Sequence, residues 1–335
     1  MSWKGVQGGN PEGEERMRED LETMMQLIYL YFTAPRADEE AFASEMQRTK
    51  AMLKNMELNP MITLSDSLNK VMYNNHPLVK RMTIEGYDKV DYAKAMEMYK
   101  DRFSDPNNFT FTFVGNIDVE TFKPLVEQYL ASLKKNKRKE NWKNVGLELT
   151  NEDYVTHYQR EMKDPKTSVY MIYNGDMEYN LYNQVYMSVL SDVLDIVYTK
   201  TIREEQGGTY GVGVMGSTNN RPDDDFRFLI AFDTNDEVYA TLMDIAKAGL
   251  KDVAENGPRQ EDLSKVLENK IKKRTEQLQE NRFWISAIES QTRDNIDIIS
   301  EYENIIKGVT VESVAEFAKQ VLNGNLKEVV QLPAK

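Results

Sequence analysis

Cysteine is absent from this 335-residue chain, and only two histidines, His76 and His157, are present. The lack of cysteine excludes disulfides, thiolate metal sites and a cysteine nucleophile. No apolar run approaches the roughly 20 residues that a membrane-spanning helix needs, so we expect no membrane insertion. The first residues, Met1 to Gly5, lack the apolar core of a signal peptide, and none is predicted there.

Positive charge is also scarce, because 42 Lys and Arg stand against 55 Asp and Glu, with a formal net charge of −13. Nucleic acids and anionic membranes are bound through basic faces, so neither is expected as a partner. The one basic cluster contains Lys134, Lys135, Lys137, Arg138, Lys139 and Lys143. We interpret it as a solvated linker.

Helical spacing of apolar residues dominates the first part of the chain. It predicts helices over about 15–32, 38–58, 64–73, 90–103 and 119–133. Asp38 and Asp118 stand where N-caps are needed. Between the last two helices, Phe and Thr alternate over 109–113, which predicts a strand that ends at Gly115.

A charged connector without periodicity over about 134–149 separates this part from the rest. After it, strand patterns cover about 154–162, 167–173, 210–215 and 226–232. A long helix is predicted over about 181–203, and Gly207-Gly208 ends it. The remainder reads as helical from about 238 to 322, with a short strand signal at Val329-Val330.

The order of elements repeats. A helix, the dipeptide Pro-Arg and a long helix occur around residue 35 and again around residue 258. Residues 90–100 also align with 309–319, with identical Val, Glu and Lys at three positions. This pattern predicts a duplicated α+β domain, with units at 1–145 and 146–335. Only the second unit has several strands before its helices, so the first is predicted to lack its leading strands.

Three stretches resemble the pitrilysin/insulinase-type (inverzincin) zinc metallopeptidase family, which includes mitochondrial processing peptidase. Residues 202–212, Ile-Arg-Glu-Glu-Gln-Gly-Gly-Thr-Tyr-Gly-Val, look like the segment of the family's C-terminal domain that joins a long helix to a strand. Residues 20–36 are similar to the start of the helical layer in the third domain of bacterial members. Residues 113–118 are typical of a strand end in these domains, and the resemblance covers nearly the whole chain.

This resemblance implies a four-domain clamshell that encloses a peptide chamber, whose first half carries the zinc motif H-x-x-E-H. The chain would be the C-terminal half, made of two processing-peptidase-like αβ rolls. Each roll would be an antiparallel sheet covered by helices, with the first unit truncated at its N-terminus. The implied partners are a peptide substrate and an N-terminal catalytic half, in the same polypeptide or in a partner subunit. Similar bacterial members are often exported, which favours the periplasm or cell envelope.

The zinc motif is missing from this sequence. A zinc hydrolase needs three protein ligands and an open position for water. His76 has no Glu or His three or four residues further on, and His157 and Glu161 are too far apart along a strand to chelate one ion. Spacing alone does not decide whether the two histidines meet in the fold. We interpret them as a loop and a strand histidine, so zinc would be bound outside this chain, and the isolated chain would be inactive with no catalytic residue.

Arg203 and Tyr210 are the predicted substrate-binding residues. In the family, an Arg and a Tyr at matching positions reach the substrate in the closed chamber. A guanidinium and a phenol are good donors to the oxygen of a peptide carbonyl under attack. The structural alternative is that Arg203 interacts with the helix dipole and that Tyr210 only packs. Glu204 and Glu205 diverge on the helix and are interpreted as surface charges.

Two functions are therefore compatible with the sequence. The first is the C-terminal substrate-binding half of a zinc metalloendopeptidase that degrades peptides in a closed chamber. The alternative is a non-catalytic peptide-binding or scaffold subunit of a two-part complex. The presence of both Arg203 and Tyr210 favours the peptidase half, because a scaffold subunit does not need such donors.

Overall fold

The computed structural model describes residues 11–136 and 139–334, with the backbone alone at residues 11–18 and 57. The helices in this part of the chain are α1 (Pro11–Thr33), α2 (Glu39–Glu57), α3 (Pro60–Met72), α4 (Ile84–Tyr87), α5 (Tyr92–Arg102), α6 (Val119–Leu125), α7 (Leu181–Tyr198), α8 (Tyr239–Asn256), α9 (Gln260–Gln277), α10 (Asn281–Asp294), α11 (Tyr302–Lys307) and α12 (Val311–Leu322). The strands are β1 (Tyr154–Arg160), β2 (Thr167–Asp176), β3 (Val212–Asn220), β4 (Asp224–Thr234) and β5 (Asn325–Pro333). The signal-peptide prediction and two residues of the basic cluster, Lys137 and Arg138, fall outside the described residues.

The two predicted N-caps are confirmed. At the start of α2, the Asp38 carboxylate accepts a hydrogen bond from the Ala41 N–H at 2.9 Å. At the start of α6, the Asp118 carboxylate accepts one from the Thr121 N–H at 2.8 Å. This hydrogen bond lowers the pKa of Asp118, because it stabilises the charged carboxylate. Local side-chain chemistry therefore fixes where these helices begin.

The described residues divide into two compact units. The first unit consists of residues 11–55 and 82–143, apart from the undescribed pair, and the second unit of residues 56–81 and 144–334. The apolar core of the first unit is small, with Met25, Phe122 and Leu125 as its buried members. In the second unit, one core of buried residues joins the sheet to the helices.

The strand predicted at 109–113 has no partner in the described residues, so that prediction is wrong as far as pairing is concerned. Phe109 has extended backbone angles, with φ −116 and ψ 141. The alternation of Phe and Thr favours an extended chain, but a strand forms only when a neighbour supplies hydrogen bonds. Within its described residues, the first unit is therefore helical apart from this extended segment.

The second unit contains a five-stranded sheet in the order β1-β5-β2-β4-β3. Strand β5 pairs with β1 in parallel and with β2 antiparallel, and β4 pairs antiparallel with both β2 and β3. The α+β class is confirmed, and the predicted antiparallel sheet is corrected to a mixed one. Strands β1 and β5 can run parallel because helices α7 to α12 lie between them in sequence and allow the chain to return to the same end of the sheet.

One face of the sheet packs on α7. Val169, Met171 and Tyr173 alternate along β2 and all belong to the buried core, as the two-residue period of a strand requires. Strand β3 approaches α7 closely at Gly216, where a Cβ atom would lie 2.4 Å from the sulfur of Met187. The Gly216 N–H also donates to the Ser191 hydroxyl of α7 at 3.0 Å. The long helix is therefore held at a fixed position under the sheet.

Helix α3 covers the opposite face of β5. The Gln331 side chain points to that face, since its neighbour Val330 belongs to the core. The side-chain amide oxygen of Gln331, Oε1, accepts hydrogen bonds from the hydroxyls of Tyr158, at 3.1 Å, and Thr63 of α3, at 3.4 Å. These contacts explain why residues 56–81 belong to the second unit.

The start of the second unit is anchored by Thr150 and Lys327. The Thr150 N–H donates to the Met72 carbonyl at 2.9 Å. The Lys327 ammonium donates to the carbonyls of Thr150, at 2.9 Å, and Glu152. Lys327 is fully buried, and this burial lowers its pKa. The chain thus enters the second unit at residue 144 and also contributes residues 56–81 to it, which the predicted division at 145 did not include.

Tyr173 makes the stability of the second unit sensitive to alkaline pH. Burial, together with the negative charges of Glu328 and Asp153, raises the pKa of Tyr173 from 10.0 to about 12. The unfolded chain therefore loses this proton at a lower pH than the folded chain does. We expect the free energy of unfolding to fall as the pH rises from about 10 to about 12, and less so in Tyr173→Phe. Urea unfolding at a series of pH values measures this. An identical pH dependence in the wild type and in Tyr173→Phe would contradict the assignment, and Tyr154→Phe, at an exposed tyrosine, is the matched control.

Candidate functional site

The candidate site lies where α7 passes into β3. The helix continues as a π-helical turn over Thr199–Glu204. In this turn, the Glu205 N–H donates to the Lys200 carbonyl at 3.0 Å, and the Thr201 hydroxyl donates to the Val197 carbonyl at 2.9 Å. Widened turns of this kind are rare and often occur at functional sites.

Gly207 ends the helical turn, as predicted. Its φ of 63 lies in the left-handed region, which glycine adopts without steric cost. Its N–H donates to the Arg203 carbonyl at 3.1 Å, which closes the last turn. Ile202, which precedes Arg203 in the π-helical turn, is fully buried and fixes this end of the helix in the core.

The loop after Gly207 is attached to the rest of the second unit. The Thr234 hydroxyl, at the end of β4, donates to the Gly208 carbonyl at 2.6 Å. Gly208 also lies against α8, because a Cβ atom there would be 3.0 Å from Leu242. The Thr209 hydroxyl accepts a hydrogen bond from the Gly211 N–H at 3.2 Å. The backbone on both sides of Tyr210 is therefore held in place.

Arg203 and Tyr210 both project into solvent from this anchored segment. Tyr210 is 99% exposed, so its ring does not pack against the described residues. Arg203 is also exposed, and no hydrogen bond or ion pair within the described residues involves either side chain. Two good donors are thus presented at the same loop without an internal partner. Their role in substrate binding stays a prediction. Glu204 and Glu205 are exposed as well, in keeping with surface charges.

Sequence reasoning missed the side chains that hold this loop. Thr234 and Ser191 are separated from their backbone partners by 26 and 25 residues in sequence. A single sequence contains no pattern that predicts a hydrogen bond from a threonine at a strand end to the carbonyl of such a distant glycine. The register of β3 on β4, which joins Val212 to Phe232, is what brings Thr234 next to Gly208.

The histidines are found in the two settings that we predicted. The Nδ1 atom of His76 accepts a hydrogen bond from the Leu78 N–H at 3.3 Å in the loop before a 3-10 turn. His157 lies in β1, with its ring 5.8 Å from the ring of Tyr239. No group of three or more His, Asp or Glu side chains that could hold a metal occurs in the described part of the chain. These residues do not provide the three ligands that a catalytic zinc needs.

Among the described residues, no helix is both long and apolar enough to cross a membrane. The fold is that of an α+β domain. Over the described residues, this domain has the exposed hydrogen-bond donors Arg203 and Tyr210 around one turn, and it has no set of zinc ligands. The family model described as "Peptidase M16 inactive domain" matches residues 89–270, which is more than half of the chain. The chain therefore belongs to the M16 peptidase family, as a domain of the inactive type, and the resemblance found in its motifs is confirmed.

Comparison with individual proteins agrees with this assignment. The chain is 26% identical over 301 residues to a zinc protease PQQL-like protein of Arabidopsis thaliana, covering 85% of this chain and 31% of that protein. It superposes on the periplasmic protease PqqL from Escherichia coli with a TM-score of 0.81 and 21% identity, covering 95% of this chain and 36% of the other. It also superposes on the first half of PqqL, with a TM-score of 0.70 and 18% identity, over 94% of this chain and 70% of that one.

The likeness to the two solved structures establishes the fold. The chain spans about a third of the length of the curated relatives that it matches. The match to PqqL covers 36% of the whole protease and 70% of its separately solved first half.

Proposed function

We propose that this chain is the substrate-binding, C-terminal half of a zinc metalloendopeptidase that degrades peptides in a closed chamber. The observation that carries the proposal is the presence, in an M16 inactive-type domain, of Arg203 and Tyr210 with exposed side chains on the two sides of the turn at Gly207. The relatives named as zinc proteases support a peptidase assembly. The described residues lack a zinc ligand set, so the metal would be held by a catalytic half elsewhere in the polypeptide or in a partner subunit.

The chemistry of the two donors explains what this half would do. When a hydroxide attacks a peptide carbonyl, negative charge develops on the carbonyl oxygen. A phenol O–H and a guanidinium aimed at that oxygen stabilise the charge more in the transition state than in the ground state. Gly207 permits the sharp turn and the bond from Thr234 fixes the loop, so the backbone that carries Tyr210 would be in place before substrate binds.

We propose the periplasm or cell envelope as the compartment. The support is the likeness of the fold to a periplasmic protease, PqqL from Escherichia coli. Zinc is proposed as the cofactor of the complete enzyme, and an extended peptide as its substrate. The acidic composition of this half, with its net charge of −13, favours basic or neutral peptides.

Metal analysis and peptide cleavage test the proposal directly. The chain alone is expected to contain no stoichiometric zinc and to cleave no peptide, while still binding unfolded peptides. Together with the catalytic half it should give a peptidase that loses its activity to a chelator. One tight zinc per isolated chain, or metal-dependent cleavage by it alone, would contradict the proposal. Full cleavage by the complete enzyme after loss of both Arg203 and Tyr210 would instead support the scaffold subunit.

A further inference from the structure

A cleft of about 690 Å³ opens on the first unit, between the start of α2 and one face of α5. Its volume lies within the range of about 300–1,000 Å³ that is usual for ligand-binding sites. Tyr92, Met96 and Lys100 of α5 line it at intervals of four residues, which places them on one side of that helix. The cleft therefore runs along α5 as a groove that is long enough for a short segment of chain.

Two aromatic rings line the cleft where α2 begins. The rings of Phe42 and Tyr92 are stacked, with their centroids 4.4 Å apart and their planes inclined by 14°. The phenol oxygen of Tyr92 accepts a hydrogen bond from the Asp38 N–H at 2.7 Å, which holds this ring at the start of α2. Both residues are half-buried. An aromatic pair that is held in place and partly open to solvent attracts a cation to its ring face.

The charges around the cleft are unevenly distributed. The carboxylates of Glu39, Asp91 and Glu97 line it, together with the ammonium of Lys100. Glu97 is paired with the Lys94 ammonium at 2.9 Å. Lys100 follows Asp91 by nine residues, so it lies about 13 Å further along the helix. This separation exceeds the screening length of about 8 Å at physiological ionic strength. The end of the cleft formed by Glu39 and Asp91 is therefore negative.

These two carboxylates still have oxygens available for a ligand. Glu39 is exposed, and its side chain has no hydrogen bond or ion pair within the described residues. Asp91 is the N-cap of α5 and uses Oδ1 to accept the Lys94 N–H at 3.0 Å. Its second oxygen, Oδ2, has no partner in the part of the chain that the structure describes. Each full negative charge exceeds the roughly half-unit positive charge at the start of its helix.

We propose that this end of the cleft binds the arginine side chain of a peptide segment. A guanidinium stacks on an aromatic ring and donates paired hydrogen bonds to carboxylates, and a lysine ammonium has the charge without that planar set of donors. The net charge of −13 also attracts basic peptides. The inference goes beyond the proposed function, because the cleft belongs to the first unit, whereas Arg203 and Tyr210 belong to the second.

Calorimetric titration of the 335-residue chain with short peptides tests the proposal. The probe is an N-acetylated pentapeptide amide with arginine between alanines, and its twin carries citrulline, which has a similar shape without the charge. The arginine peptide should bind about 10-fold more tightly or better, because only its donors are charged. A lysine peptide should lie between the two. Equal affinities for the arginine and citrulline peptides would overturn the proposal.

Substitutions in the cleft give the second test. Glu39→Lys should weaken binding of the arginine peptide by about 5-fold or more, since it replaces an attraction by a repulsion. Phe42→Leu should weaken it by about 2- to 5-fold through loss of the ring face. Glu40→Lys is the matched control, because Glu40 is the exposed neighbour of Glu39 and does not line the cleft. An equal loss in both lysine variants would mean that the net charge alone attracts the peptide, and would overturn the proposal.

Amide chemical shifts recorded by NMR during the titration locate the bound peptide. Signals of residues 37–42 and 91–100 should move, and those of the second unit should stay unchanged. Shifts confined to residues 203–210 would place the peptide at the loop of Tyr210 and would overturn the proposal. None of these measurements depends on zinc or on peptide cleavage, so this inference and the proposed function can fail separately.

Discussion

Replacing Tyr210 by phenylalanine in the complete peptidase is expected to lower kcat/KM for a peptide by about 10²–10³-fold, or about 2.7–4 kcal/mol in activation free energy. The substitution removes only the phenol O–H. Because Tyr210 is 99% exposed and buries nothing in the second unit, the fold should be unaffected. A donor that acts on the developing oxyanion contributes to kcat, so KM should change little.

Arg203→Ala in the same enzyme should produce a loss of similar size, and Arg203→Lys a smaller one, since an ammonium keeps the charge but not the planar pair of donors. Tyr154→Phe in β1 and Arg282→Lys in α10 change the same side-chain groups at exposed positions and serve as controls. Steady-state kinetics with a fluorogenic peptide gives both parameters. If Tyr210→Phe and Arg203→Ala both keep the wild-type kcat, neither side chain acts as a donor to the substrate.

The second large effect concerns the core below the sheet. Met171→Ala is expected to lower the free energy of unfolding of the second unit by about 2–5 kcal/mol, through lost transfer energy and the cavity that remains. Met171 is fully buried on the face of β2 that packs on the helices. The measurement is urea unfolding followed by circular dichroism, with the midpoint and slope fitted separately.

Met215→Ala is the matched control for this prediction. Met215 lies on the neighbouring part of the same sheet, in β3, but it is 66% exposed. Its replacement by alanine removes the same atoms from solvent rather than from the core. The free energy of unfolding should therefore change by no more than about 0.5 kcal/mol. Equal destabilisation by the two substitutions would mean that this face of β2 does not pack on the helices as described.

Local chemistry accounts for most of what could be predicted before the structure. The caps Asp38 and Asp118, the helix stop at Gly207 and the major helices and strands of the second unit depend on residues within a few positions of each other. Hydrogen bonds of this range join residues that are close in sequence, so a local pattern can indicate them. For the same reason, the extended backbone of 109–113 could be predicted, while its lack of a partner in the described residues could not.

The candidate site was found in part. Arg203 and Tyr210 came from the resemblance of their segment to a peptidase family, and the structure adds that both are exposed, Arg203 in the last helical turn and Tyr210 on the loop after it. The anchor itself, the bond from Thr234 to Gly208, depends on strand register and left no signal in the sequence. Burial was also beyond sequence reasoning at Lys327, a fully buried lysine whose ammonium donates to the carbonyls of Thr150 and Glu152.

The sequence by itself determined most of the element types, the absence of a thiolate or H-x-x-E-H zinc site and the family of this protein, since each depends on residue identity at close spacing. Only the tertiary structure decided the order β1-β5-β2-β4-β3 and the parallel pairing that joins Tyr154 to Lys327. It also decided that residues 56–81 belong to the second unit. The physical reason is that sheet neighbours and packed helices are chosen by contacts between residues far apart in the chain, whose combined burial no local pattern encodes.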